Sequence, residues 1–145
     1  MEVKIKYLTE DPIELQNIEQ GDWIDIPLQQ NLNLLGNPYK LVPLGIAIQL
    51  PKGYEAHVIP RSSTFKNYGM IQTNGMGLID ESYCGDNDQW HWPVYILVNK
   101  PQLRFVPKGT RLCQFRIIKK QPKINLKTVE HLSNKDRGGL GSTGK

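Results

Sequence analysis

The stretch Gly77-Leu78-Ile79-Asp80-Glu81-Ser82-Tyr83-Cys84-Gly85 reads as a strand that ends in a turn, and that reading sets the class of fold. Two apolar residues lead into a carboxylate, an aromatic ring follows three positions later, and a glycine stands at each end. Successive strand side chains point to opposite faces, so Leu78 and Asp80 share one face while Ile79 takes the other. An acid at the end of an apolar run, beside a ring and a glycine turn, suits a site better than a core. Aspartate before a turn also bonds nearby backbone amides as ordinary turn chemistry. Taken alone, the stretch leaves the two readings level.

Outward from it the chain continues in short units of the same kind. Val3 to Leu8 alternates, and Trp23-Ile24-Asp25-Ile26 follows the Gly21-Asp22 turn. Tyr39 to Leu44 and Gly45 to Leu50 are apolar and partly alternating, and Tyr54 to Ile59 alternates after the Pro51-Lys52-Gly53 turn. Trp92 to Val98, Gly109 to Ile118 and Lys127 to Leu132 read as further strands. Thr64 to Tyr68 predicts one helical turn closed by Gly69, a normal place for a C-cap glycine. Many short strands, 13 Gly, 10 Pro and no helical period predict an all-β sandwich or closed barrel. The 145 residues suit one β domain, over residues 1–132. The polar, glycine-rich segment Ser133 to Lys145 reads as a mobile arm of the same functional unit.

Hydrophobic residues at 39% and charged residues at 22% exclude a disordered chain. No run approaches the roughly 20 apolar residues that cross a bilayer, so no membrane association is expected. The N-terminus lacks a signal peptide's apolar block, which makes a cytoplasmic protein the default expectation. A net charge of +4 is compatible with nucleic acid or small phosphorylated ligands. Lys119-Lys120 near Lys123 reads as a solvated face, and no aromatic-interleaved basic stripe announces stable nucleic-acid binding. Cys84 and Cys113 form no CxxC pair, and His57, His91 and His131 lack metal-ligand spacing. No metal is therefore expected directly on side chains.

Three further segments carry chemistry. Pro60-Arg61-Ser62-Ser63-Thr64 offers hydroxyls, a guanidinium and helix-start amides to an anion, or is an ordinary N-cap with a surface arginine. In Gly109-Thr110-Arg111-Leu112-Cys113-Gln114-Phe115, strand phase pairs Gln114 with Leu112. That phase predicts an inward amide needing a ligand or a backbone partner. Asp136-Arg137-Gly138-Gly139-Leu140-Gly141-Ser142-Thr143-Gly144 leaves backbone amides accessible to phosphate oxygens, or is a disordered tail.

Together these segments resemble the trimeric dUTP pyrophosphatases, the dUTPases. Asp22-Trp23-Ile24-Asp25-Ile26 is similar to the family's first motif, with Asp25 at its aspartate, and Pro60-Arg61-Ser62-Ser63 to the second. Asn74 through Gly85 is similar to the third, Asn74 standing six residues before Asp80. Gly109 to Gln114 resembles the fourth motif, and Arg137 through Gly144 the phosphate-binding arm. The resemblance implies a distorted jelly-roll (β-clip) barrel and a homotrimer with active sites at subunit boundaries. It also implies hydrolysis of dUTP to dUMP and pyrophosphate, which keeps uracil out of DNA and supplies dUMP. Mg²⁺ would be held by the triphosphate and water, with Asp25 open as a contact through water. Asp80 would activate the water that attacks the α-phosphorus, and Tyr83 would pack on the deoxyribose. Asn74, with backbone groups around Gly77 and Ile79, would read the uracil edge. Arg61, Ser62, Ser63 and Gln114 would hold the triphosphate, and Arg137, Gly141, Ser142 and Thr143 would close over it.

The chain departs from the family where the arm usually places a phenylalanine over uracil, since Leu140 stands there. The stretch Asp86-Asn87-Asp88-Gln89-Trp90-His91-Trp92-Pro93 is the expected replacement, with His91, Trp90 or Trp92 as the flat lid. A dCTP deaminase of the same architecture would carry a glutamate in the strand after the third motif, and Trp92 to Val98 holds no acid. A non-catalytic β-barrel binding protein is permitted by the mild positive charge but lacks the aromatic-interleaved basic stripe, and a trimeric jelly-roll structural protein would not need Asn74, Asp80 and Tyr83 together.

Overall fold

Period-two patterning becomes antiparallel ladders in the computed structural model, which describes residues 1–17, 19–97 and 103–139. The strands are β1 (Lys4–Tyr7), β2 (Ile24–Pro27), β3 (Leu32–Asn33), β4 (Tyr39–Pro43), β5 (Ile46–Gln49) and β6 (Tyr54–Pro60), then β7 (Met70–Gln72), β8 (Gly77–Asp80), β9 (His91–Ile96), β10 (Phe105–Val106) and β11 (Arg111–Lys119). A four-stranded sheet runs β2-β11-β6-β8, a three-stranded sheet runs β4-β9-β7, and β1-β5 and β3-β10 form two ribbons. The architecture is all-β and of jelly-roll type, with one short helix among the described residues, α1 (Thr64–Tyr68).

The two larger sheets bury the apolar side of each alternation. Ala56, Val58, Ile79 and Phe115 come from the four-stranded sheet, and Val42, Met70, Trp92 and Val94 from the three-stranded one. Trp90 meets Phe115 edge to face, with ring centroids 5.3 Å apart at 87°. The α1 helix ends as its sequence predicts: Gly69 takes φ 65° and its N–H donates to the Phe65 carbonyl at 2.7 Å. Among the described residues no helix is long and apolar enough to cross a membrane.

Three expectations are corrected. Lys127 to Leu132 forms no strand; residues 121–139 are exposed and without regular structure. The predicted Trp92 to Val98 strand begins at His91 and ends at Ile96, Val98 lying outside the described residues. In β11, two residues span what one spans on β2, since Arg111 faces Pro27 and Cys113 faces Ile26. Leu112 is the extra residue of a β-bulge, and the bulge reverses the phase beyond it. Cys113 and Phe115 are therefore buried with Leu112, while Gln114 is half-buried on the opposite face, facing Asp25 and Ile59.

Candidate active site

β8 is an edge strand paired only with β6, and its alternation buries Ile79 while leaving Leu78 and Asp80 outside. Beyond it the chain turns back at once: the Tyr83 N–H donates to the Asp80 carbonyl at 3.0 Å, and the Ser82 N–H to Asp80 Oδ1 at 2.8 Å. The turn chemistry foreseen for this aspartate is present, and it holds the carboxylate in place rather than using it up. The loop that follows is pinned by the Gly85 N–H on Asp88 Oδ2 at 2.7 Å and the Gly45 N–H on Gln89 Oε1 at 3.2 Å. It offers the Gln89 carbonyl to the Tyr83 hydroxyl at 3.0 Å and to His91 Nδ1 at 2.8 Å. A carbonyl only accepts, so the proton of His91 sits on Nδ1 in this bond. Leu78, Ile79, Asp80, Tyr83, Gln89 and His91, with Trp90 behind them, line a cavity of about 390 Å³.

Lys120, read from sequence as part of a solvated face, belongs to this site. It follows β11, and its N–H donates to the Gly53 carbonyl at 2.9 Å. Its Nζ lies 2.7 Å from Asp80 Oδ2 and 3.4 Å from Glu81 Oε1. The Gly53 N–H in turn donates to Glu81 Oε2, so strand end, turn and lysine form one closed network. Lys120, and then the Ser82 hydrogen bonds, hold the Asp80 carboxyl well below the usual carboxylate range. The Gly53 amide is the largest cause lowering Glu81, and the Asp80 carboxylate raises Lys120. Only the β6–β8 and β6–β11 registers bring Gly53, Asp80 and Lys120 together, and no local sequence signal announces that.

A second cluster of polar side chains is assembled around the bulge. The extra carbonyl, Leu112 O, accepts the Arg61 N–H at 3.0 Å and the buried Thr64 hydroxyl at 2.6 Å, tying the Pro60–Thr64 loop to β11. Asp25 bridges two guanidinium groups, Arg61 Nε at 2.8 Å and Arg111 Nη1 at 3.2 Å. Ser62 and Ser63 are exposed, and Ser63 stands at the N-cap of α1 without a side-chain capping bond, so the ordinary-cap reading is not the one adopted. Gln114 lies beside Asp25 on the same face.

Asn74 lies in the link that carries the chain from the three-stranded to the four-stranded sheet. Its Oδ1 accepts from Gln72 Nε2 at 2.9 Å. Gly77 packs closely on β6, where an added Cβ would come 3.2 Å from Val58 Cβ. The tryptophans are corrected as lid candidates: Trp90 and Trp92 are both fully buried core side chains, each 0% exposed. His91, on the other side of β9, is exposed. Arg137 is exposed in the unstructured tail, and Leu140, Gly141, Ser142 and Thr143 lie outside the described residues.

The structure thus brings Asp80, Tyr83, Ile79 and His91 together and gathers Arg61, Ser62, Ser63, Asp25 and Gln114 elsewhere. Asp80 faces Glu55 on β6, whereas Arg61 follows the last residue of the same strand. Six residues at about 3.3 Å each put the two groups roughly 20 Å apart. Among the described residues, no three His, Cys, Asp or Glu side chains gather in a metal-binding cluster.

Comparison with known proteins places this arrangement. The dUTPase family model matches residues 23–144. The chain is 55% identical over 144 residues to the SPbeta prophage-derived deoxyuridine 5'-triphosphate nucleotidohydrolase of Bacillus subtilis, covering 99% of both chains. Among solved structures, the Staphylococcus bacteriophage 80alpha dUTPase with dUPNHPP aligns at a TM-score of 0.78 and 17% identity, covering 99% of this chain and 98% of that one. A mutant dUTPase from phage phi11 of S. aureus, described with a structural Mg(II) ion, aligns at 0.74 and 16% identity, covering 91% and 99%. The chain belongs to the dUTPase family.

Proposed function

We propose that this protein hydrolyses dUTP to dUMP and pyrophosphate. The observation that carries the reading is the cavity in which an anchored, ionised Asp80 stands beside Tyr83 at the end of β8. Asp80 orients a water toward the α-phosphorus and takes its proton as the new P–O bond forms and the bond to the bridging oxygen breaks. A carboxylate held this low is a weak base, so orientation is the first part of its contribution. Tyr83 stacks against the deoxyribose, and Asn74 with the backbone near Gly77 and Ile79 reads the base. His91 supplies the flat cover, the role left open by the absent phenylalanine and closed to the buried tryptophans.

Arg61, Ser62, Ser63 and Gln114 neutralise the charge that collects on the leaving pyrophosphate. They cannot do so around the Asp80 of their own chain, roughly 20 Å away by strand rise. The reading therefore requires a second copy to bring its Arg61 loop to the first copy's cavity, which supports a homotrimer with shared sites. The tail supports it as well: Ile124, Leu126 and Leu132 are exposed apolar residues without a partner strand among the described residues. Residues 133–145 serve as the arm that closes with Arg137, Gly141, Ser142 and Thr143 over residues 1–132 of the assembly. Both Asp25 oxygens already face guanidinium groups, which fits a Mg²⁺ carried by phosphate oxygens and water. When bound, the ion adds charge neutralisation on the triphosphate. The reaction is expected in the cytoplasm, where the nucleotide is.

Pyrophosphate release from dUTP with Mg²⁺ tests the activity. Asp80→Asn should lower turnover by about 10²-fold or more, and light scattering should give three times the 16.6 kDa chain mass. Full turnover in Asp80→Asn would refute the mechanism.

A further inference from the structure

Behind Asn74 lies a hydrogen-bonded relay whose polarity has only one solution. The indole N–H of Trp92 is a donor and nothing else, and its partner at 2.7 Å is the Gln72 side-chain amide. That partner must be the amide oxygen, Oε1. Gln72 Nε2 then donates both its protons, one to the Val58 carbonyl at 3.0 Å and one to Asn74 at 2.9 Å. The Val58 carbonyl only accepts, which confirms the orientation from the other side. Asn74 must therefore give its oxygen to Gln72, and its NH₂ is turned away from the relay. Gln72 is 5% exposed and Trp92 0%, so water does not replace the bonds Gln72 makes to Trp92 and Val58 if its amide rotates. Reversing Asn74 would set N–H against N–H at the protein end.

We infer that Gln72 and Trp92 are positioning residues that fix Asn74 with its NH₂ toward the ligand, selecting a pyrimidine that offers a carbonyl oxygen there over one that offers an amino group. The inference rests on Asn74 reading the base, as in the proposed function, and adds what makes that reading directional. A freely rotating asparagine satisfies either base edge, because it carries an acceptor at one end and a donor at the other. One held by a buried glutamine satisfies only the 4-oxo edge. The 4-amino edge would bring two donors together and leave both unpaired, the arrangement that rejects a wrong ligand most strongly.

The test is calorimetric binding of dUMP and dCMP, which needs no turnover. Wild type should prefer dUMP. Gln72→Leu, which removes the fixed partner, should cut that preference by about tenfold or more, and Trp92→Phe should act in the same direction. Once Asn74→Ala is in place, adding Gln72→Leu should change the preference no further. Asn74→Asp puts an acceptor where the NH₂ was, at an exposed position, and should turn the preference toward dCMP. Thermal unfolding and light scattering identify variants that fail to fold, in which case Asn74→Asp decides. Equal wild-type affinity for the two nucleotides, or an unaltered preference in the folded variants, would overturn the inference. Loss of the proposed activity reads differently: a wild type that binds dUMP selectively but releases no pyrophosphate from dUTP refutes the hydrolysis and leaves the base selection standing.

Discussion

Asp25→Asn separates the phosphate end of the site from the nucleoside end. The substitution keeps the shape of the side chain and removes the charge that Arg61 Nε and Arg111 Nη1 face at 2.8 and 3.2 Å. An amide has one acceptor oxygen, so at best one guanidinium keeps its partner and the other meets an NH₂ group. Bonds to charged groups contribute about 1.5–3 kcal/mol when well desolvated. Asp25 is 23% exposed, Arg61 33% and Arg111 57%, so the Arg111 pair is screened down to a few tenths and the Arg61 pair contributes most. A loss of about 1.4 kcal/mol in the placement of Arg61 corresponds to about tenfold in affinity. The expected outcome is a Kd for a non-hydrolysable dUTP analogue raised about tenfold, with dUMP affinity changed less than about twofold. Isothermal titration of both ligands makes the comparison within one preparation. Equal weakening of both would mean that Asp25 supports the whole fold rather than the phosphate loop. An unchanged analogue Kd would mean that Arg61 does not touch the phosphates, and either result refutes the assignment.

Three further outcomes follow from the geometry. With Lys120→Met, Asp80 loses the strongest cause of its lowered pKa; a depressed carboxylate stays ionised above its pKa and is lost as a base when pH falls through it. The acid limb of the kcat/KM profile should therefore move up toward about pH 4 in the variant, and a limb that stays where it is in wild type would remove Lys120 from the site. His91→Ala should weaken dUMP binding several-fold at an unchanged Tm because the ring is exposed. Trp92→Ala should instead destabilise the fold by about 3–5 kcal/mol, as read by thermal unfolding. An unaltered dUMP affinity in His91→Ala would leave the base without the proposed cover.

Long, alternating elements were legible in the sequence because burial on one face imposes period two on them. β6, β8 and the body of β11 belong here, and Gly69 made the end of α1 equally plain. Strands of two or three residues, β3, β7 and β10, carry too few alternations to show. Lys127 to Leu132 has the composition of a strand, but a strand exists only where another chain segment accepts its backbone, and none of the described residues does. The same limit hid the relay and the lysine. Asp80 stood out by its place at the end of an apolar run, and Asn74 through the family resemblance, whereas Gln72 and Lys120 owe their positions to cross-strand registers tens of residues away. The tryptophan-rich stretch was ambiguous in principle, since alternation told which residues shared a face and not which face was inside.

The bulge at Leu112 separates what strand β11 owes to the core from what it owes to the Arg61 loop. Deleting Leu112 would let the ladder with β2 run straight, with Arg111 still opposite Pro27 and Cys113 still opposite Ile26. The phase beyond would be kept, so Phe115 would stay inside. What the deletion takes away is the carbonyl that holds the Arg61 N–H and the Thr64 hydroxyl. A strand shortened at this point would keep its core side and lose the anchor of the loop beside it.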